Sequence, residues 1–124
     1  MNDREEALKK GEEMFTKVYA GIVPLPPRDQ RDDFFNTMLR QLFGEVWTRE
    51  ALSIRDRRMM LLGIAAASGE ANIFAIQIAA ALKNGELSAE QAEETIIHLA
   101  QYVGYPRVSS LRAIVAKAIA EIKP

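Results

Sequence analysis

The sequence predicts an all-α protein of about six helices, folded as a single domain. Apolar residues recur at intervals of three and four, the spacing that lines one face of an α-helix, and strand signals are almost absent. Alanine, the residue with the highest helix propensity, is abundant. A chain of 124 residues is also long enough to bury a core without disulfides or structural metals.

The first segment, residues 1–27, is predicted to form an N-terminal helix and a proline-rich connector. The helix is expected from about Asp3 to Ala20. Proline lacks a backbone N–H and restricts the residue before it, so the connector cannot be helical throughout. The inner side of the helix is expected to carry Ala7, Met14, Phe15 and Val18, and the connector contains Pro24, Pro26 and Pro27.

Residues 28–124 are predicted to form the helical core, which begins with a second helix from about Arg28 to Phe43. Gly44 is expected to end this helix, because glycine commonly follows the last helical residue. The segment GEVWTREAL, which starts at that glycine, is expected to be a loop or a short turn.

A third helix is predicted to start at Ser53, where a serine followed by Asp56 resembles an N-cap with an acidic first turn, and to run to about Ser68. A fourth helix is expected over residues 70–83, before the capping pair Asn84-Gly85. Both helices are apolar around most of their circumference, which is typical of a protein interior or a subunit interface. Because so small a chain has little interior, a homo-oligomer is expected.

The last two helices have clear start signals. Ser88-Ala-Glu-Gln91 is a capping box, which predicts a fifth helix that ends near Val103-Gly104. Pro106 suits the first turn of a sixth helix running to about Ile122.

Composition excludes several classes of function. Sixteen basic and seventeen acidic residues are interleaved and give a net charge of -1, so a nucleic-acid partner is not expected. The absence of cysteine removes disulfides and thiolate metal sites and fits a cytoplasmic protein. The longest apolar stretch, residues 59–67, is far shorter than the roughly 20 residues of a membrane span. The charged N-terminal sequence also lacks the apolar stretch of a signal peptide.

His98 is the only imidazole in the chain, and imidazole is the side chain that most readily exchanges protons near neutral pH. Together with Gln91, Glu94 and Tyr102 it flanks the core stripe of the fifth helix, and its spacing from Tyr102 makes the two side chains neighbours. Two interpretations are open. His98 is either a half-buried structural histidine covered by Tyr102 or a functional group.

Gln77 lies in the middle of an apolar stripe on the fourth helix. A buried amide without a partner costs several kcal/mol, so it needs a protein partner, a water or a ligand. It is either a satisfied core glutamine or part of a pocket wall.

Two further clusters lie outside the apolar pattern. Glu45 and Trp47 follow the second helix, either as functional groups or as a solvated loop in which Trp47 is a hydrophobic plug. Arg55, Arg57 and Arg58 open the third helix. They are either its solvated side or include a residue that binds a carboxylate through two hydrogen bonds.

The strings GEVWTREALSIRDRRMMLLGIAAASG and AIQIAAALKNGELSAEQAEETIIHLAQYVGYP resemble the carboxymuconolactone decarboxylase family, which includes the alkyl hydroperoxidase D-like proteins. The resemblance covers about residues 43–118 and is weaker in the preceding helix. It implies the small alkyl hydroperoxidase D-like helical fold, assembling through largely apolar helices into hexamers or trimers. It also implies decarboxylation of a carboxylated lactone, without a cofactor, in aromatic compound catabolism.

The resemblance implies that Glu45 and His98 are catalytic and that Trp47, Arg58, Gln77 and Tyr102 bind substrate. Gln77 departs from the family pattern, which usually has a histidine for proton transfer at this position. The peroxidase branch also has two cysteines, at the positions of Glu70 and Ile73, and a glutamate near Arg58. Their absence excludes thiol peroxidase activity.

The favoured function is cofactor-free decarboxylation or isomerisation of a small carboxylated lactone-type compound. The alternative is a non-catalytic oligomeric protein of the same fold that binds a small molecule or a partner. A metal-dependent activity is disfavoured, because one histidine with scattered carboxylates has no spacing typical of a metal site.

Overall fold

The structure, a computed structural model, describes residues 2–122. These residues form helices joined by short turns and contain no strand, which confirms the all-α class. They group into two compact units, which meet in the sequence between Ile54 and Arg55, and each unit has its own packing. Within the described part of the chain, every helix is too short or too polar to cross a lipid bilayer.

The first unit begins with helix α1, Asp3–Tyr19, close to its predicted bounds. The side chain of Asn2 caps the helix by accepting a hydrogen bond of 2.8 Å from the backbone N–H of Glu5. At the other end Ala20 adopts a left-handed conformation with a φ of 53°, which stops the helix.

The predicted second helix is wrong at both ends. After a single 3₁₀ turn, Arg28–Gln30, the helix α2 spans Asp33–Met38, because the Asp32 carboxylate caps it by accepting from the N–H of Phe35 at 2.9 Å. The chain then continues through Gly44 as a π-helix, Leu39–Val46, so part of the expected loop is helical.

Gly44 therefore has a packing role and does not end the helix. A Cβ at Gly44 would lie 2.6 Å from the carbonyl oxygen of Ala7, and one at Gly11 would overlap the backbone of Leu39. Glycine at these two positions lets the backbones of α1 and the π-helix approach closely. Rings complete this core, with Phe43 stacked on Trp47 at a centroid distance of 6.1 Å and against Phe15 at 5.2 Å.

The proline-rich connector is attached to α1 by an ionic cluster. Arg28 donates to both carboxylate oxygens of Glu12 at 2.9 Å, and Arg31 donates to one of them at 2.7 Å. The hydrogen bond from Arg28 is the main reason that the pKa of Glu12 is lowered; burial opposes this shift and Arg31 reinforces it. The Arg31 side chain is only 3% exposed and also donates to the carbonyl of Pro26 at 2.8 Å.

The second unit contains α3, Ile54–Ala67, α4, Ala71–Lys83, and α5, Ala89–Val103, close to the predicted bounds. The capping box at the start of α5 is present, with reciprocal hydrogen bonds of 3.0 and 3.1 Å between Ser88 and Gln91.

The predicted sixth helix is divided into α6, Tyr105–Ser109, and α7, Leu111–Ile122. Pro106 lies in the first turn of α6 as expected. The division falls at two serines whose hydroxyls donate to backbone carbonyls, Ser109 to Tyr105 at 2.6 Å and Ser110 to Arg107 at 3.3 Å. Serine competes in this way with the regular helical pattern.

The core of the second unit contains residues of α3 and α4, which the sequence predicted to be largely apolar, together with residues of α5, α6 and α7. Phe74 and Ile78 on α4 are completely buried and pack with residues of α3, α5 and α7. Alanines at many of the contact positions allow these helices to lie close together. The other core residues are Leu62, Ala65, Ala66, Ala81, Leu82, Leu87, Ala92, Ala100, Val108, Leu111, Val115, Ala118 and Ile119.

One ion pair lies inside this apolar core. Arg58 on α3 has no exposed surface, and its guanidinium donates to both oxygens of Glu86, at 2.9 and 3.0 Å. Its remaining terminal nitrogen donates to the side-chain oxygen of Gln77 at 2.6 Å. Asn84 also donates to Glu86, at 3.0 Å, so the turn between α4 and α5 is tied to α3.

Glu12→Gln is expected to destabilise the protein by about 1 to 2 kcal/mol at neutral pH, because it removes the charge that faces Arg28 and the buried Arg31. Since folding lowers the pKa of Glu12, its contribution is present above the ordinary carboxyl value of 4.5 and is lost as the pH falls through the folded value. Urea unfolding of wild type and variant at several pH values measures the difference.

The control is Glu13→Gln, which removes the same charge from an exposed position of α1. If the difference in unfolding free energy between wild type and Glu12→Gln does not become smaller in acid, the stabilisation does not come from the charge of Glu12.

Glu86→Ala is expected to cost about 3 to 5 kcal/mol of unfolding free energy, because it leaves the Arg58 charge buried without its carboxylate. Glu93→Ala, at an exposed position of α5, should change stability by less than about 0.5 kcal/mol. Combining Glu86→Ala with Arg58→Met should recover part of the loss, since no charge then remains buried. The free energy of unfolding of each variant is measured with denaturant. If the losses caused by Glu86→Ala and by Arg58→Met simply add in the double variant, the ion pair does not contribute as described.

Candidate functional site

A cavity of about 340 Å³ lies between α3 and α5 in the second unit. Its lining residues are spaced three, four and seven apart on each helix, so each helix presents one face to it. We call it the α3–α5 cavity. It is lined by Arg55, Met59 and Leu62 on α3, by Gln91, Glu94, Thr95, His98 and Leu99 on α5, and by Leu87 before α5.

Two contacts give the direction of the helices along the cavity. Arg55, at the start of α3, donates from Nε to the backbone carbonyl of Glu86 at 3.0 Å, just before α5 begins. Further along both helices, a Cβ at Gly63 would lie 3.8 Å from the side chain of Leu99. The two helices therefore run side by side in the same direction, with Arg55 at the end where α5 starts and His98 toward the other end. Seven residues of α-helix separate Gln91 from His98, which corresponds to about 10 Å along the axis.

The polar groups of the cavity are held by local hydrogen bonds. Gln91 uses its side-chain oxygen to accept from Ser88 in the capping box, and its amide nitrogen is the donor that remains. Thr95 is buried and donates to the carbonyl of Ala92 at 2.6 Å, so its hydroxyl can only accept from a ligand. Met59, Leu62 and Leu99 give the cavity apolar walls.

His98 is exposed rather than half-buried. Its ring lies 5.3 Å from the ring of Tyr102, which confirms that the two side chains are neighbours, but Tyr102 is 81% exposed and covers little of it. Within residues 2–122, no hydrogen bond holds either ring nitrogen of His98. The imidazole is thus available to a ligand in the cavity.

Gln77 is a satisfied core glutamine. It is 2% exposed, its oxygen accepts from Arg58, and it does not line the α3–α5 cavity. Arg58 is likewise absent from the cavity lining, because its guanidinium is directed to Glu86 and Gln77. Their roles in substrate binding stay predictions.

Glu45 and Trp47 belong to the first unit. Glu45 is exposed near the end of the π-helix. Trp47 is 7% exposed and stacks on Phe43, as expected of a hydrophobic plug. The catalytic role of Glu45 and the substrate-binding roles of Trp47 and Tyr102 stay predictions.

Sequence reasoning missed two parts of this arrangement. Glu86 was not identified, although it is the only acidic residue in the turn between α4 and α5 and a buried arginine needs a carboxylate. Arg55 was named only as one of three arginines, and Gln91 and Glu94 only as neighbours of the core stripe. Their shared spacing with His98 was the available signal for a common face.

The described residues show no group of three or more histidine, aspartate or glutamate side chains that could hold a metal ion. What the cavity offers is a guanidinium and an amide at one end, an imidazole toward the other, the carboxylate of Glu94 between them, and several apolar walls. Such a site can bind and orient a small organic acid and exchange protons with it.

Comparisons with known proteins agree with the resemblance seen in the sequence. A model of the Carboxymuconolactone decarboxylase family matches residues 32–117. The chain is 30% identical over 112 residues to a 4-carboxymuconolactone decarboxylase from Acinetobacter baylyi (strain ATCC 33305 / BD413 / ADP1), covering 86% of this chain and 81% of that protein. No solved structure matches. The chain is therefore a cysteine-free member of the carboxymuconolactone decarboxylase family.

Proposed function

We propose that this protein is a cofactor-free decarboxylase or isomerase of a small carboxylated lactone-type compound, which binds in the α3–α5 cavity. The observation that carries the proposal is that His98, the only imidazole of the chain, lines this cavity with its ring nitrogens unengaged by the described residues. A volume of about 340 Å³ lies at the lower end of the range for small-molecule sites. The similarity to a protein named as a decarboxylase of this compound class supports the same activity.

The reaction requires one bond to break and one proton to be delivered. The bond between the departing carboxylate and the substrate carbon breaks, CO₂ leaves, and the electron pair is delocalised into the neighbouring carbonyl as an enolate. Protonated His98 then donates its proton to carbon and recovers one from solvent. In an isomerisation, the same imidazole removes a proton from one carbon and returns it to another. Hydrogen-bond donors in the cavity stabilise the charge of the enolate.

A second candidate function is non-catalytic binding of a small carboxylated compound. The observation that favours it is that Gln77, at the position where the family resemblance implies a proton-transferring histidine, is held in the core by Arg58. An amide cannot act as a general acid near neutral pH. If His98 has not taken over proton transfer, the cavity remains a binding site without turnover.

We propose that the protein acts as a homo-oligomer, a trimer or a hexamer. Large apolar side chains are exposed on several helices of the second unit, among them Met60 and Ile64 on α3, Ile97 on α5 and Tyr105 on α6. Exposed apolar surface of this kind is typical of subunit interfaces. A cytoplasmic location and a role in aromatic compound catabolism stay predictions from the sequence.

His98→Gln is expected to lower kcat about a hundredfold or more on a panel of muconolactone-type acids, with little change in substrate affinity, because it removes the proton donor but keeps a side chain of similar size. CO₂ release and loss of substrate absorbance measure turnover. The matched control is Glu93→Gln, an exposed residue of α5 outside this cavity, which should keep wild-type activity.

Two outcomes would count against catalysis by His98. Wild-type turnover retained in His98→Gln would remove the imidazole from the reaction. A wild-type protein that binds but does not convert any acid of the panel would favour the non-catalytic alternative.

Gln77→His is expected to give no increase in turnover, because Gln77 does not line the cavity. It should instead lower the free energy of unfolding by about 1 to 3 kcal/mol, since Arg58 loses the amide oxygen that accepts its hydrogen bond. Gln41→His, the same change at an exposed position of the π-helix, should be nearly neutral. A gain of activity in Gln77→His alone would place the reaction centre in the core and contradict the location that we propose.

A further inference from the structure

We infer that Arg55 anchors a carboxylate of the ligand at the end of the α3–α5 cavity where α5 begins. The inference rests on the proposed function only for the location of the site. It assigns to Arg55 the contact with an acidic substrate that the sequence suggested for Arg58.

The position of Arg55 suits a carboxylate. It lies in the first turn of α3, is exposed and lines the cavity. Its Nε donates to the carbonyl of Glu86 at 3.0 Å, which fixes one edge of the guanidinium. Within residues 2–122, no protein atom accepts from its two terminal nitrogens. This pair of N–H groups matches the two oxygens of a carboxylate.

Arg58 lacks this freedom. Its Nε and one terminal nitrogen donate to the two oxygens of Glu86, the other terminal nitrogen donates to Gln77, and none of its surface is exposed. Glu86 thus neutralises Arg58 with its side chain and orients Arg55 with its backbone carbonyl. The Glu86 carboxylate is occupied by Arg58, and Glu94, which also lines the cavity, forms no ion pair with Arg55 within the described residues. The positive charge of Arg55 therefore remains for a ligand.

A second donor faces the same end of the cavity. Gln91 lines it, and since its oxygen accepts from Ser88, its amide nitrogen is the group left for a ligand. The apolar residues Met59, Leu62 and Leu99 are also among the walls of the cavity. The arrangement fits a small organic acid with its carboxylate on Arg55 and its apolar ring or chain directed toward His98.

The test is direct binding of an unreactive probe, so that it does not depend on turnover. The probe is a saturated γ-lactone that bears an acetate side chain, and its methyl ester is the uncharged comparison. Isothermal titration of wild type should show the acid binding at least about tenfold more tightly than the ester. Arg55→Gln should raise the Kd for the acid about tenfold to a hundredfold and remove the preference over the ester.

Matched variants separate this role from a general effect of charge or folding. Arg55→Lys keeps the charge but cannot form the paired hydrogen bonds, so its Kd for the acid should lie between those of wild type and Arg55→Gln. Arg112→Gln removes a positive charge from an exposed position of α7 and should leave the Kd unchanged. Thermal unfolding of each variant checks that it is folded.

The outcomes distinguish this inference from the proposed function. The role of Arg55 is overturned if wild type and Arg55→Gln bind the acid with equal affinity. It is also overturned if wild type binds the acid and the ester equally, or binds neither. Binding of the acid that depends on Arg55 but not on His98, in a protein inert toward every substrate tried, upholds the anchor and rejects the decarboxylase.

Discussion

A guanidinium without exposed surface must be neutralised inside the fold, and the second unit is arranged around that requirement. Arg58 meets Glu86 through two hydrogen bonds and Gln77 through a third, so every contact in this set crosses between different segments of the chain. An ion pair removed from water contributes little by itself, because desolvation offsets most of the attraction. Breaking it is costly, however, which fixes the spacing of α3, α4 and the turn that follows α4.

The identity of residue 77 follows from the same constraint. In this chain the positive charge comes from α3, and α4 supplies a neutral oxygen at 2.6 Å from it. A histidine able to take up a proton at position 77 would bring a second positive charge against Arg58 in a region of low dielectric constant. Arg58, Gln77 and Glu86 therefore form one hydrogen-bonded group, in which the amide at position 77 accepts from Arg58 without adding a charge.

Much of the fold could be predicted because its signals are local. The caps of α1 and α5 and the apolar periodicity of α3 and α4 are properties of neighbouring residues, and these helices have nearly their predicted bounds. The errors arose where tertiary contacts override local preference. Gly44 has the sequence of a helix end, but the proximity of Ala7 explains the glycine, and that contact is between residues far apart in the chain. The two serines at the end of α6, Ser109 and Ser110, divide a helix whose apolar pattern continues across them.

The candidate site was predictable only in part, for a related reason. Periodicity placed His98 beside Tyr102 and placed Gln77 on an apolar stripe, because both are properties of a single helix. It could not show which of the arginines at the start of α3 is buried, since Arg55 and Arg58 lie about one turn apart on neighbouring parts of the helix surface. Only the position of Glu86, set by the turn after α4, separates them.

A change at Glu86 affects both the stability of the second unit and the cavity, whereas a change at Arg55 affects only the cavity. Its side chain holds Arg58 and its backbone carbonyl holds Arg55, so loss of the carboxylate disturbs the core and, through the same turn, the orientation of the cationic end of the cavity. Loss of the Arg55 side chain removes one hydrogen bond at the surface and leaves the buried pair intact. Glu86 therefore belongs both to the network that stabilises the second unit and to the end of the cavity that faces a ligand. It serves the first through its side chain and the second through its backbone carbonyl. For this reason the ligand contact can be altered without exposing a buried charge.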